Sequence, residues 1–505
     1  MRGAHRFVSG LTLGLALVLV ACGPGPREAG GDAGDDDNGP CQPGATKDCY
    51  DGADGTEGVG PCHKGKSVCE ASGTWGVCAN EQLPVAENCT DGIDNNCNGQ
   101  IDEDIDEDGD GFTSCSGGDC CDSTAVCSNP TAVNPGAFDA PGNLVDDDCD
   151  GVIDNVTPAC DVGLASDSTD PMDYAKAIDL CQVATMADKK WGVISASWSF
   201  ADGTGTPVAK QHSIRPIFGS STVPQVGNSL AMISTGTAAS VGDTNPNYDA
   251  NDFQPGTGNN TASGWPADFI AANNGTLPNA PGCMGPSGGE CMDANGAIGG
   301  CDPVMLTLQI RVPTNALSFS ISSDFFSSEF PEYVCTQFND FFVVLLDSTY
   351  SGVPANPTDK NLAFYTPPMT TDKYPVGVNL AFGGTGLFTQ CVSGTTGCSG
   401  GVAGSITCAV DDQLDGTGFD QPESGECDAD SVLGGGTGWL TTTGNVKGGE
   451  IMTLRIALWN TSDHAWESTA IIDGFTWSVE ASDPGTVIGR TAPHHGGTLT
   501  IPLRR

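Results

Sequence analysis

Through the second half of the chain, apolar residues recur in short runs, often at every other position, and Gly, Pro and Asn cut the runs apart. WGVISASWSF (Trp191–Phe200), LTLQIRV (Leu306–Val312), ALSFSIS (Ala316–Ser322), FFVVLLD (Phe341–Asp347), VGVNLAF (Val376–Phe382) and IMTLRIALW (Ile451–Trp459) have the length and composition of β-strands. A helical pattern is scarce. DPMDYAKAIDLCQV (Asp170–Val183) is the one good stretch, with Asp170 placed as its cap and Pro171 at its first position. The pattern therefore predicts a mainly β chain, with a large jelly-roll-like β-sandwich over residues 168–482. Residues 240–300, rich in Gly and Asn and holding Cys283 and Cys291, read as an insertion in it, and residues 483–505 as a C-terminal tail or edge strand.

The N-terminal half has no such periodicity. Arg2, His5 and Arg6 precede the apolar run Phe7–Val20, which ends in Leu19-Val20-Ala21-Cys22. That run is shorter than the roughly 20 residues a spanning helix needs, so residues 1–21 read as a cleaved secretory signal. The cut before Cys22 resembles the lipobox of bacterial lipoproteins, which implies acyl chains on that thiol, and Gly23 after it permits outer-membrane sorting. Residues 22–40, GPGPREAGGDAGDDDNGP after the Cys, form a flexible linker. The expected location is the cell envelope, as an outer-membrane lipoprotein facing the periplasm or the cell surface.

Charge and cysteine usage fit export. The 64 acidic against 19 basic residues give a net charge of −45, which excludes nucleic acid as a partner. Setting Cys22 aside from the 23 cysteines leaves an even number, as a disulfide framework requires. The cysteines do not form paired C-x-x-C knuckles, and six His are too few for a zinc reading. Residues 41–88 form a Cys-rich module that relies on cross-links for want of a core, with Trp75 available to cover one of them.

Residues 89–160 are acidic. Their opening stretch, DGIDNNCNGQIDEDIDEDGDGF (residues 91–112), packs nine carboxylates among Asn and Gly without a Lys or Arg. Repulsion alone would expand it. The spacing supplies the missing cation. Asp94, Asn96, Asn98, Gly99, Ile101 and Asp102 fall at positions 1, 3, 5, 6, 8 and 9 of a calcium loop, and Asp146, Asp148, Asp150, Gly151, Ile153 and Asp154 repeat them. Asp106, Asp108, Asp110 and Gly111 begin a third copy, with Asp119 and Asp122 downstream. Alternate oxygens would face one ion, Gly would permit the turn, and the apolar residue two after it would anchor the loop. Cys97 and Cys149 sit at position 4, where side chains point away from an ion, and suit disulfides. Oxygen-only ligands favour several structural Ca2+ ions and disfavour copper. Position 12 carries Ile105, Gly117 and Thr157 instead of Glu, so affinity is expected near the 10⁻⁴–10⁻³ M of extracellular modules.

NCTDGIDNNCNGQIDED, DGDGFTSCSGGDCCD, NPGA and DDDCDGVID, over residues 88–154, resemble the metal-binding motif of MopE-type bacterial surface proteins. That family's name carries a copper association, yet no His or Met in this stretch would support copper. The Cys120-Cys121 pair departs from the commoner single Cys.

DFFSSEFPEYVCTQFNDFFVVLLD (Asp324–Asp347) resembles the signature of the choice-of-anchor L domain, and the Asp170–Val183 helix, WGVISASW and TSDHAWESTAIIDGFTW (Thr461–Trp477) fit the same family. The resemblance implies extracellular display on a β-sandwich and no reaction. Glu329, Glu332, Asn339 and Asp340 are candidates for a second ion or ligand site near strand ends, which Asp463, Glu467 and Asp473 would join if the C-terminal strand lies alongside.

No H-E-x-x-H is present. The expected function is a non-enzymatic, lipid-anchored and calcium-stabilised display or adhesion-like protein. It would meet the membrane through its lipid and an extracellular polymer or surface protein through its sandwich. The alternative is a secreted hydrolase, for example a glycosidase, or a metal-acquisition protein.

Overall fold

The computed structural model describes residues 41–155, 158–250, 259–287, 289–422, 427 and 432–489. The expected signal, Cys22 and the linker lie outside the described residues, as do Thr157 and most of the expected tail.

The chain forms two compact units. Among the described residues, one comprises Cys41–Asp51 together with Lys64–Glu81. In it β1 (Thr46–Cys49) pairs antiparallel with β2 (Gly65–Val68), Cys49 standing opposite Gly65. A side chain at Gly65 would meet the Ala79 carbonyl oxygen at 2.5 Å, so only glycine lets the Lys64–Glu81 segment fold back this closely. The disulfides Cys41–Cys69 and Cys49–Cys78 clamp this ribbon, and Lys47 Nζ sits 4.8 Å over the Trp75 ring. Two short strands would be marginal without such cross-links.

The other unit holds Gly52–His63 and the described residues from Gln82 onward, with the Cys62–Cys97 disulfide inside it. Its regular elements start with α1 (Pro171–Ala177), β3 (Gly192–Ser199), β4 (His212–Arg215), β5 (Leu230–Ser234), β6 (Ala262–Ser263) and α2 (Ala267–Ala272). The long strands β7 (Gly300–Arg311), β8 (Ser318–Ser327) and β9 (Phe341–Asp347) follow. Short pieces come next: β10 (Phe364–Tyr365) with β11 (Tyr374–Pro375), β12 (Gly394–Thr396) with β13 (Gly404–Ile406), and β14 (Gln421–Pro422) with β15 (Val432–Leu433). Then come β16 (Gly435–Gly436), β17 (Leu440–Asn445), β18 (Ile451–Thr461), β19 (Ser468–Ser478) and β20 (Gly485–Ile488).

Apart from the pairs β10-β11, β12-β13 and β14-β15, these strands build two antiparallel sheets that do not close into a barrel. The larger runs β20-β17-β8-β19-β5-β4 with β16 also on β8; the smaller runs β3-β7-β18-β9 with β6 on β7. Alternation along the strands explains the core between them. Val304, Leu306, Leu308 and Ile310 of β7 and Met452, Leu454, Ile456 and Leu458 of β18 meet Phe319, Ile321 and Phe325 of β8 and Ala470 and Ile472 of β19. The unbroken apolar run of β9 serves two faces. Phe342, Val344 and Leu346 enter that core, while Phe341, Val343 and Leu345 join Ala457, Trp459 and Phe269 of α2 on the outer side. Each such ring or branched chain taken from water contributes about 1.5–3 kcal/mol.

Three expectations change. The helix expected over Asp170–Val183 is short. Asp170 caps it, accepting from Met172 N–H at 2.9 Å, but Asp179 takes a left-handed φ of 71° and ends it; Cys181 is then tied to Cys160. Val376–Phe382 is no strand: residues Val378–Gly384 form tight helical turns. The Asn379 N–H donates to Asn339 Oδ1 at 2.8 Å and its own carboxamide accepts from Cys335 N–H, so polar anchors bend an apolar run that would otherwise extend. The expected insertion holds β6 and α2, and the disulfides Cys283–Cys335 and Cys291–Cys301 tie it to the sandwich.

Candidate metal centre

The three acidic loops fold alike because each Asp or Asn side chain turns back on the backbone just ahead of it. At position 1, one carboxylate oxygen accepts from the position-6 glycine: Asp94 from Gly99 at 3.0 Å, Asp106 from Gly111 at 3.0 Å, Asp146 from Gly151 at 2.9 Å. At position 3, Asn96, Asp108 and Asp148 accept from the N–H of Asn98, Asp110 and Asp150 at 3.0–3.3 Å. At position 5, Asn98, Asp110 and Asp150 each accept from the N–H two residues on at 2.8 Å. These local turns need only sequence spacing. The glycines at position 6 adopt φ of 93°, 97° and 90°, the left-handed region that other side chains resist.

The free oxygens converge. Asp106, Asp108 and Asp122 place three carboxylate oxygens within 4.8 Å of one another, as do Asp108, Asp110 and Asp119, and Asp146, Asp148 and Asp150. Asp108 belongs to two of these triads. The second oxygens of Asp108, Asp110 and Asp119 are buried and have no hydrogen-bond partner among the described residues. Burial, helped by the neighbouring carboxylates, pushes Asp108 and Asp148 up to about 6 and Asp119 up to about 7. Disulfides bring the irregularly spaced Asp119 and Asp122 in, since Cys120 is joined to Cys149 and Cys121 to Cys127. Cys97 and Cys149 are both spent in disulfides and offer no thiolate.

The first loop is weaker. It shows no carboxylate triad; Asp94, Asn96 and Asn98 are joined by Glu103, whose Oε1 accepts from both carboxamides at 2.9 and 2.6 Å. The position-9 acids do other work. Asp154 accepts from the N–H groups of Gly142, Asn143 and Leu144, and Asp102 from that of Gly92, so both cap the chain entering the loop. The position-8 residues do not anchor the loops: Ile101 is 62% and Ile153 57% exposed, because neither has a partner loop to pack against. Glu87, which takes the N–H groups of Asn95, Asn96 and Asp102, and Asp139, which takes those of Asp147 and Asn155, hold the first and last loops in place. No local spacing marks these two acids, or Glu103, as partners of the loops.

The loop segment rests on the sandwich. Thr314 N–H donates to the Gly136 carbonyl at 3.0 Å, and Asn315 both accepts from Phe138 N–H at 3.0 Å and donates to its carbonyl at 2.8 Å. Lys189 donates to the Gly111 carbonyl and lies 5.3 Å from the centre of the Phe112 ring. With Lys190 it shares a groove of about 500 Å³ with Asp148 and Asp150.

Of the second candidate set, Glu329, Glu332, Asp340, Asp463 and Glu467 gather at one end of the sandwich, where the last four are the charges acting most strongly on Glu329. The Asn339 carboxamide oxygen is occupied by Asn379 N–H. Asp473 stands apart, accepting from Gln225 and Val226 N–H beside Asp179. His464 pairs with Asp302 at 2.8 Å. A groove of about 650 Å³ holds Asp202 and Asp268. Burial opposes ionisation of Asp268, but hydrogen bonds from Arg455 and Lys360 outweigh it and keep its carboxyl below the usual range.

A family model described as "Putative metal-binding motif" of the copper-binding MopE type matches residues 84–103 and 128–155. Those stretches contain the first and last loops; the Asp106–Asp122 cluster lies between them. No curated protein and no solved structure matches the chain.

Proposed function

We propose that the chain is a non-enzymatic surface protein, tethered through lipid on Cys22, in which calcium stiffens residues 84–155 and the sandwich is the body that meets a surface polymer or protein. The observation that carries this reading is the central cluster. Five aspartates there supply two triads of converging oxygens, and three of those aspartates each keep an oxygen buried without a hydrogen-bond partner among the described residues. Ionised carboxylates so placed are costly unless a cation joins them. The donors are all oxygen, which suits calcium; copper would seek imidazole or thiolate, and the nearby cysteines are oxidised. The resemblance of Asp324–Asp347 to the choice-of-anchor L signature supports display as the sandwich's task.

Two measurements test the proposal. Calorimetric titration of the purified chain should show several calcium ions bound and copper unable to displace them; tight 1:1 copper with calcium ignored sinks the metal assignment. Expression of Cys22→Ser should move the protein from membranes to the soluble exported fraction, and unchanged membrane association sinks the anchor.

A further inference from the structure

We propose that the sandwich carries a cation site of its own, separate from the loops, with Glu329 and Asp340 as its principal ligands and Glu467 and Asn460 beside them.

Strand register gathers these residues. Ser468 of β19 stands opposite Ser327 of β8, and Thr469 opposite Ser234 of β5, so Glu467, Glu329 and Thr235 follow one another past the edge of the larger sheet. Trp459 of β18 stands opposite Phe341 of β9, which sets Asp340 beside Asn460 at the same end of the smaller sheet. The Thr461 N–H donates to Asp340 Oδ1 at 3.3 Å, and across the sandwich Ser468 Oγ donates to Asp340 Oδ2 at 2.6 Å. Thr235 Oγ1 donates to Glu467 Oε2 at 2.5 Å.

The site is buried and negative. Glu329 and Glu467 are 1% exposed, Asp340 and Asn460 0%. Neither carboxylate oxygen of Glu329 has a hydrogen-bond partner among the described residues, and neither do the two amide atoms of Asn460. The charges acting most strongly on Glu329, those of Asp340, Asp463, Glu332 and Glu467, are all negative. His464, which acts on Asp463, is engaged by Asp302 at 2.8 Å. An uncompensated buried carboxylate costs several kcal/mol, and interiors rarely leave such a group and a carboxamide both unpaired. A proton on Glu329 would remove one charge and still leave the Asn460 amide without a partner. A divalent cation with its bound water answers both, and oxygen donors select the calcium and magnesium class. Among the described residues, three Asp or Glu oxygens within 4.8 Å of one another occur in the loops and not here. Ligation at this end therefore draws Glu329 and Asp340 together by side-chain rotation.

The test counts ions. The full chain and its Glu329→Gln and Asp340→Asn variants are dialysed against calcium, their folds compared by near-ultraviolet dichroism, and bound calcium measured per chain. Each folded variant should hold one ion fewer than the parent. Calcium should raise the parent's melting temperature more than the variants', whereas under chelator Glu329→Gln should melt above the parent. Equal calcium counts in parent and variants overturn the proposal. A melting shift from Glu329→Gln that is the same with and without calcium overturns it too, since that is the behaviour of a protonated acid. The loops are identical in all three chains, so the difference of one ion stands or falls independently of whether the loops bind calcium.

Discussion

Residues 84–155 and the paired strands of the sandwich are held by contrasting forces. The acidic stretch leaves Ile93, Ile101, Ile105, Leu144, Val152 and Ile153 exposed and buries little more than Phe112, Val133 and a few alanines. Its shape comes from side chains folded onto neighbouring amides and from four disulfides, which bring carboxylates close enough to hold a cation. In the sandwich, alternate residues of two sheets close on a continuous apolar core, into which the disulfides of Cys335 and Cys391 are packed. Under the proposed function, ordering of the first is linked to ion concentration, whereas the second carries its stability in buried area.

Removing calcium should separate the two most sharply. Chelator is expected to expose residues 100–155 of the full chain to protease at least about tenfold faster, while fragments containing the sandwich persist. Added salt should restore only part of the protection, because screening weakens repulsion without supplying ligation. Peptide mapping with and without chelator decides it; an unchanged map would mean that the disulfides alone hold the loops.

The converse break lies in the core. Phe342, fully buried between the sheets, becomes a cavity in Phe342→Ala, which should cost about 3–5 kcal/mol in denaturant unfolding of the sandwich. Calcium bound by the loops should be unchanged in that variant while it stays folded. Release of calcium from the loops at the same lowered midpoint at which the sandwich unfolds would show the two regions to be one cooperative unit.

Asp473 gives the sandwich a pH dependence that can be signed. Burial first, then the charge of Asp179, raises its carboxyl to about 7 from an ordinary value of 3.8. Between those values the unfolded chain has lost the proton and the folded chain retains it, so stability falls as pH rises through that window and levels off above it. From about pH 5 to about pH 7 the loss should be about 2–3 kcal/mol for this group, and Asp473→Asn should flatten it. Unfolding midpoints across that range check it; an equal slope in the variant would place the dependence elsewhere.

The same contrast explains what could be read from the chain before folding. Loop spacing is legible because an Asx turn is a local event, so Asp106, Asp108 and Asp110 announce themselves within five residues. Asp119 and Asp122 join them through disulfides of Cys120 and Cys121 that no spacing specifies. Glu87, Glu103 and Asp139 matter only once the chain has folded back on itself. In the sandwich, Leu306–Val312, Phe341–Asp347 and Ile451–Trp459 show as strands because runs of that length between breakers have one good use. Val376–Phe382 has the same composition, yet Asn339 and Asn379 bond it into turns, a long-range fact hidden from any window. β17 is missed for the opposite reason: LTTTGN is polar, and its place between β8 and β20 supplies what composition does not.

Within the acidic region the loops should differ in strength. Asp108→Ala touches two triads and should weaken calcium binding most, by about tenfold or more; Asp148→Ala touches one; Asn96→Ala removes a neutral ligand from the loop without a triad and should cost least. Titration of the three variants gives the order, and equal losses would mean that the triads are not the ligand sets.

The smallest effect sits where the two regions touch. Lys189, contributed from just before β3, donates to the Gly111 carbonyl and covers Phe112, placing a positive charge against a stretch that has seventeen carboxylates and no Lys or Arg between residues 91 and 154. With calcium present the ion supplies most of the compensation, and Lys189→Met, which keeps the aliphatic stem, should cost only about 0.5–1 kcal/mol. Under chelator the lysine is a larger share of the positive charge available, so the same substitution should speed proteolysis of the loops by more than it does with calcium bound. The parent and variant are digested in both conditions and the two ratios compared. A ratio independent of calcium would assign Lys189 to packing against Phe112 alone, and a variant effect confined to the calcium-bound form would contradict the view that charge is what residues 84–155 must offset.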